Sequence, residues 1–183
     1  MGRAPALVAA GADGLLLRVL GGGPGDTRVW LQALMATGAT VLVHARTPGG
    51  AALAAELGIG LHLPDRGGNP DQGGDPGDPR IPLTGRSCHE LAGLDKAAES
   101  CDYALISPVF APRSKAAGGE LMGIGGLAAA CAAARLPVLA LGGIDASRIA
   151  ECLRAGAHGV AGIGAFGDID SVAAMAEELV RSV

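Results

Sequence analysis

Aromatic residues and long apolar runs are both scarce in this chain. Only 2% of the 183 residues are aromatic although 49% are hydrophobic, so the core has to be built from Ala, Leu, Val and Ile. No apolar run approaches the ~18 residues that cross a membrane, and the short apolar start of the chain is a poor signal peptide. The sequence therefore predicts a cytoplasmic protein without a membrane partner.

Cysteine motifs and excess positive charge are missing as well. The four cysteines have no CxxC spacing, which indicates reduced structural thiols rather than a metal or redox motif. The formal net charge is −4, and no basic patch interleaved with aromatic residues is present. These absences argue against a nucleic-acid partner.

Glycine, by contrast, is abundant: the chain has 31, and several close an apolar run. One run extends from Val138 to Leu141 and a second from Val160 to Ile163, with a short amphipathic helix between them. Glycine N–H groups can approach a ligand because no Cβ stands in the way. In a (β/α)₈ barrel the loops after the last two strands commonly bind phosphate. We therefore expect a phosphate-binding site formed by Gly142, Gly143, Gly162 and Gly164.

Apolar segments alternate with helical patterns along the chain. The predicted strands are Asp13–Val19, Thr40–His44, Gly60–Leu63, Arg80–Thr84, Tyr103–Val109, Leu136–Leu141 and Gly159–Ile163. The predicted helices are Val29–Thr37, Gly50–Leu57, Glu90–Glu99, Ile124–Ala134, Ala146–Ala155 and Ile169–Arg181. This alternation is typical of βαβ units around a parallel sheet, and the continuously apolar strands indicate burial on both faces. We predict a single domain, residues 1–183, with the α/β fold of a shortened (β/α)₈ TIM barrel.

Two parts of such a barrel are abbreviated or missing, strand one and helix four. The 183 residues fall below the roughly 200 to 250 usual for this fold, and seven strands are predicted. The segment before Asp13 is too short for a strand and its helix: either Pro5–Ala9 forms an abbreviated first element, or strand one is absent. An absent strand would leave two open edges, which a homodimer partner or a longer N-terminus could close.

The place of the fourth helix is taken by residues 66–79, which read RGGNPDQGGDPGDP. The prolines and glycines of this segment exclude a helix, so we expect a flexible loop. The loop is either a solvated linker or a lid over the face at which the strands end.

Four ordered motifs carry a resemblance to a known family. The chain reads GRSCH from Gly85, DYALISPVFAPRSK from Asp102, GGI from Gly142 and AGAHGVA from Ala155. In this order they resemble the thiamine phosphate synthase family and its thiazole tautomerase relatives. The resemblance covers roughly residues 80 to 166. The matching residues are Gly85, Ser87, His89, Asp102, Tyr103, Pro108, Val109, Phe110, Lys115, Gly142, Gly143, Ile144, Ala155, Gly156, Gly159, Val160 and Ala161.

The resemblance implies an enzyme of thiamine biosynthesis built on a (β/α)₈ barrel. Such a transferase joins hydroxymethylpyrimidine diphosphate to thiazole phosphate and releases pyrophosphate, with Mg²⁺ bound. Pyrophosphate leaves first and the thiazole nitrogen then captures the pyrimidine methyl cation, so the protein has to supply cations and N–H donors. By the same resemblance Lys115 and Ser87 contact the leaving pyrophosphate. Arg18 matches an arginine of a ligand-binding segment, and His89 orients its loop or acts as an acid.

The departures from the family pattern cluster in the half that binds diphosphate and metal. Leu16 and Leu20 stand where the family has a glutamine and a lysine, and Ala45 replaces an aspartate that helps to bind Mg²⁺. Asp65 is the remaining candidate ligand for Mg²⁺, which takes oxygen ligands. We therefore expect that the thiazole-phosphate pocket is retained, while the coupling reaction is changed or lost.

Two alternatives stay open at this point. The first is a thiazole phosphate tautomerase, an isomerase; Pro108 stands where that branch carries its histidine, so only His89 or His44 could substitute. The second is a paralogue that binds a phosphorylated ligand without catalysis.

Overall fold

In the computed structural model, the described residues are 2–19, 21–66, 77–111, 120–164 and 168–182. The chain forms two compact units. Unit 1 comprises Met1–Arg86 and Ser100–Asp102, and unit 2 comprises Ser87–Glu99 and Tyr103–Val183. Within each unit, strands alternate with helices and the paired strands are parallel. The prediction of an α/β fold with parallel strands is confirmed.

Unit 1 contains strands that neighbour one another in chain order. Its elements are α1 (Ala4–Ala9), β1 (Gly14–Leu17), α2 (Pro24–Met35), β2 (Thr40–His44), α3 (Gly50–Leu57), β3 (Gly60–Leu63) and the first three residues of β4 (Thr84–Cys88). His44 at the end of β2 lies opposite His62 in β3, and Leu63 lies opposite Arg86 in β4. The carboxyl ends of these parallel strands therefore lie along one edge of the unit.

Local signals explain where these elements begin and end. Pro24 opens α2, where its missing N–H costs nothing, and the Asp26 carboxylate accepts the N–H of Gly23 at 3.3 Å. Helix α3 ends at Gly58, whose φ of 63° is left-handed. The core of the unit is aliphatic, as the composition requires. Its most deeply buried side chains are Leu31, Val43, Leu53, Ala54 and Leu61.

Unit 2 continues the alternation. Its elements are the last two residues of β4, most of α4 (Ala92–Ser100), β5 (Tyr103–Ile106), α5 (Gly123–Ala133), β6 (Val138–Leu141), α6 (Ala146–Arg154), β7 (Gly159–Ala161) and α7 (Ile169–Ser182). Leu141 of β6 lies opposite Ala161 of β7. The Ser107 N–H after β5 donates to the Cys88 carbonyl of β4 at 3.1 Å. The core is built from small and aliphatic side chains, among them Ala104, Ile106, Leu127, Ala140, Ile149 and Cys152.

The fourth strand is the main correction to the sequence prediction. It was expected at Arg80–Thr84 but lies at Thr84–Cys88. Pro82 interrupts the predicted run, because proline has no N–H for a ladder. Arg80 instead closes a turn, donating from its N–H to Asp78 Oδ1 at 3.0 Å. The Thr84 N–H donates to Asp102 Oδ2 at 2.7 Å, which fixes the start of the true strand.

The other strand boundaries shift by less. Strand β5 ends at Ile106 rather than Val109, and β7 ends at Ala161, so Pro108 and Gly162 lie in loops. The segment before Asp13 forms the short helix α1. The described residues contain seven strands, the predicted number. Most of the predicted loop at 66–79 lies outside the described residues. None of the helices in the described ranges has the length and apolarity needed to cross a membrane.

Candidate functional site

The two glycine-terminated strands of unit 2 end side by side. Leu141 and Ala161 are opposite each other, and each is followed at once by a glycine, Gly142 or Gly162. Gly142, Gly143 and Gly162 are half-buried. Gly164 is exposed, so packed hydrocarbon does not cover this edge. Two main-chain N–H groups are available here: among the described residues, neither the N–H of Gly143 nor that of Gly164 donates to a protein acceptor.

The fold itself requires glycine at positions 142 and 143. Their φ angles are +107° and +61°, which side chains disfavour. A Cβ on Gly142 would lie 2.9 Å from Pro108 Cα, and one on Gly143 would overlap the Ala111 carbonyl. The Phe110 N–H donates to the Gly142 carbonyl at 3.0 Å, so the two loops are joined. The glycine pair is therefore explained by close packing, whether or not a ligand binds.

Gly164 differs from this pair. A Cβ at this position would meet no atom of the described residues within 4 Å, and its φ lies outside the left-handed range. Neither conformation nor packing among the described residues demands glycine there. The space that a side chain would fill is available to a ligand.

Arg148 is a further residue of this edge, and it was not predicted from the sequence. From the first turn of α6 it donates to the Gly143 carbonyl, and its guanidinium carbon lies 4.4 Å from the centre of the Phe110 ring. The contact fixes a permanent cation beside the glycine turn. The sequence did contain a signal for this residue. The helix dipole disfavours a cation in the first turn of a helix, so an arginine at that position indicates a compensating interaction.

The helices that follow the two strands already have their N-termini capped. The Asp145 carboxylate accepts the Ser147 N–H of α6 at 3.1 Å. In the same way, the Asp168 carboxylate accepts the N–H of Ser171, in the first turn of α7, at 3.1 Å. An anion at this edge would therefore be held by loop N–H groups and Arg148 rather than by the helix ends.

Ser87 and His89 lie at the end of β4 in the same unit. Ser87 is half-buried inside the strand rather than in the loop after it. The exposed His89 has its Nδ1 2.6 Å from the Ser107 carbonyl oxygen and 3.3 Å from the Ser107 hydroxyl. Since a carbonyl only accepts, Nδ1 carries the proton of this hydrogen bond. His89 thus contacts the loop after β5, the loop that packs on Gly142.

Unit 1 has a different group of side chains at its strand ends. His44 and His62 are 5% and 1% exposed, and their ring centroids are 5.8 Å apart. The His44 Nδ1 accepts the N–H of Arg46 at 3.0 Å. An Arg86 guanidinium nitrogen donates to the Pro64 carbonyl at 3.1 Å.

Burial and neighbouring cations keep both imidazoles of unit 1 uncharged. Burial, then the charges of Arg18 and Arg46, lower the pKa of His44 to about 4. Burial, then His44, Arg86 and Arg18, lower the pKa of His62 to about 3. At neutral pH this edge therefore presents permanent guanidinium charges around two neutral rings.

The sequence of this chain is similar to those of known proteins. The family model described as thiamine monophosphate synthase matches residues 29–166. The chain belongs to this family. Among curated proteins, the thiamine-phosphate synthase of Methanoculleus marisnigri is 42% identical over 85 residues, which are 45% of this chain and 40% of that protein. The thiamine-phosphate synthase of Chloroflexus aurantiacus is 35% identical over 98 residues, which are 53% of this chain and 45% of that protein.

The matches to curated relatives thus span less than half of the length of those proteins. Among solved structures, the thiamine phosphate pyrophosphorylase from Pyrococcus furiosus superposes with a TM-score of 0.80 at 17% identity, covering 100% of this chain and 90% of that one. FabK from Thermotoga maritima superposes with a TM-score of 0.71 at 18% identity, covering 89% and 53%. At these identities the structural likeness shows the fold.

The described residues do not fit the Mg²⁺ that the family implies. No group of three or more His, Cys, Asp or Glu that could hold a metal exists in the described ranges. Asp65 has Arg66 3.7 Å away, and no second carboxylate joins it within the described ranges, so its role as a ligand stays a prediction. The other carboxylates of unit 1 that have assigned contacts are engaged elsewhere. Asp26 accepts the Gly23 N–H, Glu56 pairs with Arg28, Asp78 pairs with Arg80 and Asp102 accepts the Thr84 N–H.

The predicted site residues are thus distributed over both units. In unit 2 the structure places Ser87, His89 and the four glycines on the ends of β4, β6 and β7. Arg18 and Asp65 lie at strand ends of unit 1, after β1 and β3. Lys115 and Leu20 lie outside the described residues, so the predicted contact of Lys115 with pyrophosphate stays a prediction.

Proposed function

We infer that the chain is a transferase of thiamine biosynthesis that joins hydroxymethylpyrimidine diphosphate to thiazole phosphate. The observation that carries the proposal is the edge of unit 2, where two adjacent strands end in glycine beside Arg148. Unengaged N–H groups and a fixed guanidinium are what a phosphate monoester needs. The family membership and the synthase names of the relatives support this reading over the tautomerase and the non-catalytic paralogue.

The proposed fold is a shortened (β/α)₈ barrel in one domain. The superposition with the Pyrococcus furiosus protein at a TM-score of 0.80 supports it. The absence of a first barrel strand and the abbreviation of its fourth helix belong to the same proposal.

The thiazole phosphate is assigned to unit 2. Its phosphate oxygens accept from the N–H groups of Gly143 and Gly164, and Arg148 supplies the positive charge. Gly142 and Gly162 determine the backbone path of the loops that follow β6 and β7. Because Arg148 is held by the Gly143 carbonyl and the Phe110 ring, it needs no reorganisation when the anion arrives.

The reaction requires the protein to stabilise charge rather than to move many protons. The bond between the pyrimidine methylene and the diphosphate oxygen breaks with its electron pair on oxygen. The thiazole nitrogen then forms the new carbon–nitrogen bond. Lys115 is proposed to offset the charge on the departing pyrophosphate, and Ser87 to donate a hydrogen bond to it. Within unit 1, Arg18 stays a predicted ligand contact. His89 holds the loop after β5 through the Ser107 carbonyl.

A coupling assay tests the function directly. The purified chain is incubated with both substrates, with Mg²⁺ and separately with EDTA, and thiamine phosphate is quantified by chromatography. The proposal expects product that depends on both substrates and falls about fivefold in Arg148→Gln. Arg154→Gln, on the same helix, is the matched control. Absence of product together with interconversion of thiazole phosphate isomers would replace the transferase with the isomerase.

We also propose that the protein forms a homodimer, lies in the cytoplasm and does not bind nucleic acid. Light scattering coupled to gel filtration measures the mass in solution, and a clean monomer would exclude the homodimer.

A further inference from the structure

The outer side of strand β1 carries main-chain groups that no described residue uses. β1 stands first in the strand order, and among the described strands β2 is its one neighbour. Because the Thr40 N–H donates to the Asp13 carbonyl, the odd-numbered residues of β1 bond to β2 and the even-numbered residues point away from it. The N–H and C=O groups of Gly14 and Leu16 are therefore directed outward from the sheet.

This edge lacks the features that usually protect an edge strand. Natural proteins place a proline, a lysine or a bulge on such an edge, since an open edge pairs with other chains. β1 reads GLLL and has none of these. Leu15 and Leu17 pack against the core of unit 1, so Leu16 lies on the opposite face, where it is 42% exposed. A strand added beside β1 would cover both the backbone and the side chain of Leu16.

The helix face of this edge also has an apolar residue with free surface. Trp30 of α2 is half-buried. It lies about 200° around the helix from Arg28, which pairs with Glu56 of α3. Trp30 is therefore on the side of α2 that is turned away from α3. Tryptophan is enriched at protein–protein interfaces, and Trp30 is the single tryptophan of the chain.

The charges that flank β1 make the edge complementary to a copy of itself. Asp13 precedes the strand and Arg18 follows it, and both side chains are exposed. Neither forms an ion pair with a described residue. In an antiparallel pair, the acidic start of one strand lies beside the basic end of the other. A parallel pair would instead bring like charges together.

We propose that the outer edge of β1 pairs with the same edge of a second copy of this chain, antiparallel and across a two-fold axis. Leu16 then lies opposite Leu16 of the second copy, and the two exchange N–H···O=C bonds. Gly14 pairs in the same way with Arg18 of the second copy. The axis is perpendicular to the sheet, so the helices of both copies stay on one face and the Trp30 side of α2 faces the second copy. The inference gives the proposed homodimer a surface and does not rest on the transferase activity.

Analytical ultracentrifugation over a range of concentrations tests the surface. The parent protein is expected to sediment as a dimer, and Leu16→Lys is expected to raise the dissociation constant at least about tenfold, because two ammonium groups would face each other. Leu16 is exposed, so this variant is expected to fold, which circular dichroism checks. A parent protein that stays monomeric, including one in which another segment of the chain covers the edge, would overturn the proposal.

The matched control is Val180→Lys, the addition of the same charge at a 79% exposed aliphatic residue of α7. Its dissociation constant is expected to lie within about twofold of that of the parent. A dimer that Leu16→Lys leaves intact, or that both variants weaken equally, would show that β1 is not the interface.

Two further measurements test the antiparallel direction and the register. Asp13→Arg is expected to weaken the dimer about fivefold, and adding Arg18→Asp is expected to restore it, because the swap again pairs opposite charges. NMR of a mixed labelled and unlabelled sample is expected to show Leu15 Hα close to Leu17 Hα of the second copy, since these residues face each other in this register. A double variant as weak as Asp13→Arg, or a dimer without this contact, would contradict the pairing.

These experiments are independent of the coupling assay. A β1-paired dimer that forms no thiamine phosphate would leave the interface standing and remove the transferase. An active monomer would remove the interface and leave the transferase standing.

Discussion

The strand ends of the two units present different kinds of polar group. Unit 2 presents main-chain N–H groups at glycines, and unit 1 presents side chains of arginine and neutral histidine. The glycine edge is tied to packing, because Gly142 and Gly143 fit against the loop after β5 only without a Cβ. Arg18 of unit 1 has no such packing constraint, because it is exposed. The departures from the family pattern, Leu16 and Ala45, lie in unit 1.

The largest effect is expected from the glycine pair. Gly143→Ala would impose a left-handed φ on alanine and drive its Cβ into the Ala111 carbonyl, so we expect a loss of about 2 to 4 kcal/mol in the free energy of unfolding. Thermal and urea denaturation measure it. A variant as stable as the parent would contradict the claim that packing fixes this turn.

The next effect concerns acid sensitivity, which is expected to reside in unit 1. Unfolded histidines bind protons near pH 6.5, whereas folded His44 and His62 do so only near pH 4 and pH 3. The unfolded chain therefore gains protons first as pH falls, and the stability present at pH 7 declines by about 2 kcal/mol for each of the two histidines by pH 5. Urea denaturation at a series of pH values measures it.

Two variants sharpen the acid prediction. His62→Gln is expected to remove about half of the decline, whereas His89→Gln, at an exposed histidine of unit 2, should leave it unchanged. If His89→Gln abolished the decline in stability, the acid sensitivity would lie in unit 2 and the prediction would be wrong.

Gly164 provides the test that separates ligand binding from folding at the glycine edge. Gly164→Ala places a Cβ in open space, so stability should change by less than about 0.5 kcal/mol. Thiazole-phosphate affinity should fall about tenfold, since the methyl group occupies the approach to the N–H. Calorimetry gives the affinity, and an unaltered dissociation constant would remove Gly164 from the site.

The smallest effect is expected at Arg148. Arg148→Met keeps part of the stacking volume on Phe110 but removes the charge and the hydrogen bond to the Gly143 carbonyl. We expect about a fivefold loss in thiazole-phosphate affinity and about 1 kcal/mol in stability. A loss in stability alone would make Arg148 a structural residue of the turn.

The sequence predicted the glycine edge because apolar runs that stop at glycine are a local signal, visible in LALGG and in GVAGIG. It misplaced β4 because Arg86 and Ser87 are polar, while their strand is recognised only by its pairing with β3. The contact between Arg148 and Phe110 joins residues 38 positions apart through a loop conformation that no local pattern specifies. The pairing of His44 with His62 likewise depends on strand register.

The aspartate that caps α6 has a consequence for how long an anion stays. Asp145 is two residues beyond Gly143 and already satisfies the Ser147 N–H. A phosphate arriving at the turn therefore encounters a resident negative charge on the same short segment. At the proposed phosphate site this charge would shorten the occupancy of the anion, which would suit a catalyst that releases its product better than a carrier that retains its ligand.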